Sequence, residues 1–138
     1  HPLWHLAPSE TRSGAVAHPH GNDGQVFMGG YGPTPRRVLT LDGCFIAVDV
    51  TAVKEVGLRF DEQFTFHHYD LDFTIQANLK GLTVTTWPIW TVHQSPGLRS
   101  YTDPAYIERA ERFLNKYAEM GNDRVGHWKK GINELPKD

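Results

Sequence analysis

The sequence predicts one α/β domain of mixed α+β character, in which a small mixed sheet carries two main helices. Three observations predict it. Runs rich in β-branched and aromatic residues recur at 37–41, 44–48 and 82–92. Residues 103–120 carry a long amphipathic helical pattern, and residues 70–81 carry a second segment that ends in Gly81. Glycine and proline separate these runs at intervals that fit short connections. The length of 138 residues suits a single domain that buries a core without a disulfide or a structural metal. Within it, 1–35 is expected to be irregular, 36–120 to form the core, and 121–138 to form a tail.

Composition narrows the function classes. Apolar residues make up 39% and aromatics 12%, which is ordinary for a folded globular chain. A formal net charge of -2 and a pI near 6.5 leave no basic face for nucleic acid, so no nucleic-acid partner is expected. The tight basic pairs are Arg36-Arg37 and Lys129-Lys130, too little for a polyanion groove. The single cysteine, Cys44, lies in an apolar run and reads as a small buried hydrophobe. No window approaches ~20 consecutive apolar residues, so no membrane span is expected. The opening HPLWHLAPSE lacks the basic-then-apolar layout of a signal peptide, which makes a cytoplasmic location the expectation.

The elements follow in order. Proline and glycine recur throughout 1–35 and interrupt helix or ladder, leaving one short strand at 25–28 before the Gly-Gly-Tyr-Gly-Pro turn. His5, His18 and His20 resemble a metal cluster only superficially, because no cysteine or carboxylate stands nearby at zinc spacing. The runs 37–41 and 44–48 flank Asp42-Gly43, which reads either as a tight hairpin turn or as a bend in one long strand. Residues 49–57 read as a short helix with Thr51 as candidate cap and Gly57 as stop. In 70–81 two periods compete. Leu71, Phe73, Ile75, Ala77 and Leu79 alternate as in a strand, whereas Leu71, Ile75 and Leu79 also recur at helical spacing. Acids in the first turn and a lysine in the last favour a helix dipole. The strand 82–92 contains Pro88, which places it at an edge or breaks it. The helix 103–120 has Asp103 as cap and Pro104 in its first turn, with Tyr106, Ile107, Ala110, Phe113, Leu114 and Tyr117 as its apolar stripe.

Chemistry concentrates in two stretches. FTFHHYDLD, 64–72, packs two histidines, a tyrosine and two carboxylates together, and WTVHQSPG, 90–97, ends a β-forming run in His93. If the strand returns beside the start of 70–81, Asp70, Asp72 and His93 share one rim, an arrangement suited to proton transfer or metal binding. A metal-dependent hydrolase built from His67, His68, Asp70 and His93 is disfavoured, because no two of them show the i, i+4 spacing of helical zinc ligands. Trp87 and Trp90 are read as strand aromatics in a core, with stacking on a sugar ring as the alternative.

The succession LDGCFIAV, a short helix ending Val-Gly, FDEQFTFHHYDLD, KGLTV and VHQSPG resembles the second half of an inverting family 2 glycosyltransferase of the GT-A fold. The resemblance covers the middle third to half of the chain. It implies a helix at 70–81 and a fold like the C-terminal, acceptor-side part of a GT-A nucleotide-diphospho-sugar transferase. It implies Asp70 as the base that deprotonates an acceptor hydroxyl, Asp42 and Gly43 as the acceptor floor, and His68, Asp72 and Trp90 around the substrate. His93 would be a ligand of a divalent metal, Mn or Mg. The implied partners are a carbohydrate acceptor and a nucleotide sugar. The chain departs from the family in having no counterpart of the donor half with its Asp-x-Asp, and in carrying Tyr69 where an acid is common. A homo-oligomer, or a partner chain supplying the donor half, is therefore expected, as is the alternative of a non-catalytic carbohydrate-binding or assembly module.

Overall fold

The computed structural model describes residues 12–20, 24–94 and 103–118, and these form an α+β arrangement of three helices and two small antiparallel sheets. The predicted tail, the last two residues of the predicted 103–120 helix, and the Ser-Pro-Gly turn at 95–97 lie outside the described residues. Among the described residues no helix is long and apolar enough to cross a membrane.

In the described part of 1–35 the first sheet corrects the expectation of irregular chain, and the predicted strand 25–28 lies within it. Strands β1 (Gly14–His20) and β2 (Gln25–Gly32) pair antiparallel from His20 opposite Gln25 to Gly14 opposite Gly32, with a register shift at Gly14/Ala15. The far side of β1 meets residues 91–93. Ala17 N–H donates to Thr91 O at 3.0 Å, and His93 N–H donates to Ala17 O at 2.8 Å, forming a parallel bridge.

The second sheet is only two residues deep. β3 (Arg36–Arg37) pairs with β4 (Thr85–Thr86), and Val38 N–H continues the pairing to Val84 O at 2.9 Å. The predicted strands 37–41 and 82–92 are therefore mostly extended chain without a ladder, and 44–48 forms no strand. Beyond Val38 the backbone of the first run finds its partners on a helix instead. In 82–92, Pro88 sits in a tight turn closed by Ile89 N–H on Trp87 O at 2.7 Å, which ends the β4 pairing.

That helix is α2 (Tyr69–Leu79), and it organises the domain. Leu71 and Ile75 pack with Leu39, Phe64, Phe113 and Tyr117, while Phe73 and Ala77 pack with Val38, Leu58 and Val84. Its polar residues are equally occupied. Asn78 Nδ2 donates to Leu39 O at 3.0 Å and Val38 O at 3.3 Å, and Thr74 Oγ1 accepts from Leu41 N–H at 3.3 Å. Asp70 accepts from Gly43 N–H at 2.7 Å. Asp70, Thr74 and Asn78, spaced by four, thus line one helical stripe that binds the backbone of residues 38–43. The strand-like alternation of this segment reflects a helix in which no position from 69 to 79 is fully exposed, so no fully exposed face imposes the usual helical period.

The flanking helices follow their caps. In α1 (Val50–Glu55), Asp49 rather than Thr51 is the N-cap, its carboxylate accepting from Thr51 and Ala52 N–H. Gly57 at φ 61 and Gly81 at φ 82 end α1 and α2 in the left-handed conformation. Each closes a Schellman motif, with Leu58 N–H on Val53 O and Leu82 N–H on Ala77 O, both at 2.9 Å. In α3 (Pro104–Ala118), Asp103 accepts from Ala105 N–H at 2.9 Å. Tyr106, Ala110, Phe113 and Tyr117 are buried, whereas Ile107 and Leu114, predicted in the same stripe, are 46% and 41% exposed at its margins.

Candidate functional site

The two halves of the site come from the 38–43 segment and the first turn of α2. The polar stripe of α2 holds Leu41 and Gly43 alongside the helix, and this brings Asp42 and Gly43 to Asp70 across 27 positions of sequence. Asp70 Oδ1 accepts from Leu71 N–H at 2.9 Å and Oδ2 from Gly43 N–H at 2.7 Å. Burial pushes its carboxyl above the usual range, and Asp42 adds to that, while the two backbone N–H groups pull the other way. Asp42 is exposed, and its Oδ1 accepts from Cys44 N–H at 3.0 Å. Burial and the neighbouring Asp42 raise the Cys44 thiol. Tyr69 lies over Gly43 so closely that any Cβ there would overlap its hydroxyl. Burial, then Asp70 and Asp42, raise the Tyr69 phenol, so it stays protonated at neutral pH.

Such a set suits proton abstraction from a neutral hydroxyl. Asp70 is ionisable, partly desolvated, fixed by two N–H groups and flanked by a neutral phenol.

The other predicted residues stand elsewhere. Asp72 is 1% exposed and turns toward α3, because positions two apart on a helix face nearly opposite ways. Its Oδ1 accepts from Lys116 Nζ at 2.6 Å and from the Tyr117 hydroxyl at 2.5 Å, and Lys116 also donates to Asp61 Oδ2 at 2.7 Å. Asp70 and Asp72 therefore do not share a rim. A cavity of about 210 Å³ beside this network is lined by Arg59, Asp61, Asp72, Gln76, Lys80 and Lys116. Among the described residues Asp72 Oδ2 has no hydrogen-bond partner and it is sealed from solvent, whereas Asp61 and Lys116 of the same network border the cavity.

His68, the N-cap of α2, is buried in the left-handed conformation at φ 65. Among the described residues neither ring nitrogen has a hydrogen-bond partner, and its ring lies 4.9 Å from Tyr106 and 5.5 Å from Phe113, centroid to centroid. It faces the core beneath the site. His67 is half-buried, with Nε2 4.0 Å from Asp103 Oδ2.

His93 sits with His18, ring centroids 5.6 Å apart, at the bridge to β1. Among the described residues no group of three His, Cys, Asp or Glu side chains is close enough to hold a metal ion. The described side chains thus do not by themselves make the metal site that the resemblance implies. Trp87 and Trp90 are 65% and 76% exposed, so neither is the core aromatic its sequence setting suggests.

Sequence reasoning missed Lys116 and Tyr117 as the partners of Asp72, and Tyr69 as a member of the site. The i, i+4, i+8 spacing of Asp70, Thr74 and Asn78 is the signal that would have located the docked 38–43 segment. Comparison of the chain with family models, with curated proteins and with solved structures finds no match.

Proposed function

We propose that the chain is the acceptor-side half of an inverting glycosyltransferase of the family 2 type, resembling the C-terminal part of a GT-A domain, with Asp70 as its base. The observation that supports this is the setting of Asp70, a carboxylate raised by burial, clamped by Gly43 and Leu71 N–H, at the first turn of a helix beside an Asp-Gly bend. In the reaction, Asp70 takes the proton of an acceptor sugar hydroxyl as that oxygen attacks the anomeric carbon of a nucleotide sugar. The bond from that carbon to the diphosphate breaks, and the diphosphate leaves with the electron pair. Positions that fix the acceptor are worth as much as the base, because attack demands alignment. Asp42 and Gly43 form the floor, and Trp90 is available for stacking against a sugar.

Donor and divalent metal belong in this proposal to a donor half, which a partner chain or a further segment supplies. Val26, Phe27 and Met28 of β2, together with Trp87, Ile89 and Trp90, are large exposed apolar side chains, and such surface supports assembly with that half or with a second copy. A cytoplasmic location fits nucleotide-sugar use. The same exposed tryptophans favour a second reading, a non-catalytic carbohydrate-binding or assembly module that keeps the acceptor cleft.

Isotope-labelled chain titrated with neutral oligosaccharides, and separately with UDP- and GDP-sugars in Mn²⁺, tests both. The transferase reading expects oligosaccharide to shift the Gly43 and Leu71 amides. Binding confined to the tryptophan indoles supports the module, and no perturbation by any carbohydrate removes both.

A further inference from the structure

Gly43 is the point on which Tyr69 and Asp70 converge. A Cβ built there overlaps the Tyr69 hydroxyl and stands 3.1 Å from Asp70 Oδ2, so the phenol and the carboxylate flank the same short stretch of backbone. The Tyr69 ring is supported from one side by Phe60, tilted against it at 6.1 Å, and Phe60 is itself stacked on Phe73 at 4.1 Å. The hydroxyl is therefore positioned by packing, and no described residue takes a hydrogen bond from it. A phenol offers one donor and two acceptor positions, and a carboxylate accepts only. Two hydroxyls on neighbouring carbons match that pair, one donating to Asp70 and the other exchanging a hydrogen bond with Tyr69.

Charge narrows the ligand. Asp42 places a second carboxylate within electrostatic reach of both Tyr69 and Asp70. A uronate or a sugar phosphate would meet two acids, and like charges brought together in a partly desolvated site are costly. A neutral pyranoside meets none of that repulsion.

We propose that Tyr69 and Asp70 together bind a vicinal diol of a neutral pyranoside, with Tyr69 as a ligand-contacting residue that sets which hydroxyl faces the base. This rests on the acceptor-site reading of Asp70. Tyr69 fixes the sugar through the hydroxyl that does not react, so its contribution falls on binding and on regiochemistry, not on proton removal.

The test uses the full chain, labelled with ¹⁵N, and the methyl glycosides of glucose, galactose and mannose. The amides followed are Gly43 and Leu71, the two that donate to Asp70. At least one neutral glycoside is expected to shift both, and its uronate is expected to bind at least about tenfold more weakly. Tyr69→Phe keeps the ring against Phe60 and is expected to weaken binding by up to about tenfold, the worth of one good hydrogen bond. Mono-deoxy glycosides titrated into the unaltered chain give the same information without a variant, since removing either hydroxyl of the diol should weaken binding similarly. Tyr69→Phe binding as tightly as the unaltered chain, while Asp70→Asn has lost binding, overturns the role of Tyr69 and leaves the base assignment standing. Equal affinity for the uronate overturns the preference for a neutral ligand. If no glycoside shifts either amide, the acceptor-site reading falls, and this proposal with it.

Discussion

Gly43 N–H donates to Asp70 Oδ2 at 2.7 Å, and through this bond a loop without a ladder is held to the first turn of a buried helix. The same glycine carries the Tyr69 hydroxyl on its face. Its conformation lies outside the left-handed region, so a side chain at this position is opposed by contact and not by backbone strain.

Gly43→Ala is therefore expected to cost about 1–3 kcal/mol, the range for a methyl forced into packed surroundings. Urea denaturation measures it. Tyr69→Phe in the same chain should recover part of the loss, because the phenol oxygen is the nearest obstacle while the ring carbon that bears it stays at 2.9 Å. Independent, additive effects of the two substitutions would contradict the contact.

Lys116 is the cation of a network with Asp72, which is 1% exposed, and Asp61. Lys116→Met should cost about 3–5 kcal/mol, because it leaves the Asp72 carboxylate buried with only the Tyr117 hydroxyl. Adding Asp72→Leu should return most of that stability, since apolar replacement of a whole buried pair is often neutral. The Lys116 hydrogen bond chiefly lowers Asp61 to about 2. Its contribution is full above the ordinary pKa near 3.8 and is lost as pH falls through about 2. A Lys116→Met chain should lose this acid limb.

How legible all this is in the sequence depends on whether local chemistry or tertiary packing decides. The C-terminal ends of α1 and α2 and the start of α3 are readable, because Gly57, Gly81, Asp103 and Pro104 act through their own backbone neighbours, whereas the cap of α1 is Asp49 and not the expected Thr51. Of the β1–β2 pair, the predicted strand 25–28 is the first half of β2, while β1 and the rest of β2 are missed, because Pro19 and the glycines of β2 look like interruptions. In the structure Pro19 pairs with Val26 inside the ladder, and Gly29 and Gly30 pair with Val16 and Ala15. The run 44–48 has β propensity, but among the described residues no strand lies beside it to pair with. At the site, the stretch 64–72 stands out by composition, and the choice of Asp70 over Asp72 within it comes from the family resemblance. Asp42 and Gly43 enter through the resemblance too, since no local pattern shows a bond that spans 27 positions and depends on Thr74 and Asn78 docking the 38–43 segment.

His68 predicts sensitivity to mild acid. Burial first, then His67 and Arg109, lower its pKa from 6.5 to about 4. A histidine held neutral in the fold contributes full stability above its unfolded pKa of 6.5. That stability falls as pH drops from there through about 4, by about 3 kcal/mol at most. His68→Asn should flatten this part of the profile, since asparagine tolerates both the left-handed conformation and the N-cap position. Thermal melts between pH 7 and pH 4 are the measurement, and an unchanged slope in the variant would assign the acid sensitivity to other groups.

Asp70 separates the chemical role from the structural one. Asparagine at this position keeps one amide oxygen, which accepts from Gly43 N–H or from Leu71 N–H but not from both as Oδ2 and Oδ1 of the carboxylate do, so Asp70→Asn should cost about 1–3 kcal/mol and its activity is compared per folded molecule. It cannot take a proton, so transfer to an acceptor sugar, measured with a donor half present, should fall by about 10²-fold or more. The pH profile supplies an independent check. Burial raises the carboxyl above 3.8, so the rate should climb with pH as Asp70 ionises, its midpoint above that of a free carboxyl, and Asp70→Asn should abolish the limb. Asp72→Asn is the control. It weakens the Lys116 network and should lower the melting temperature, yet per folded molecule it should retain far more activity than Asp70→Asn, because Asp72 faces α3. Equal losses in the two variants, or a loss at Asp70 that follows its melting temperature, would make Asp70 a clamp for the Gly43 bend and nothing more.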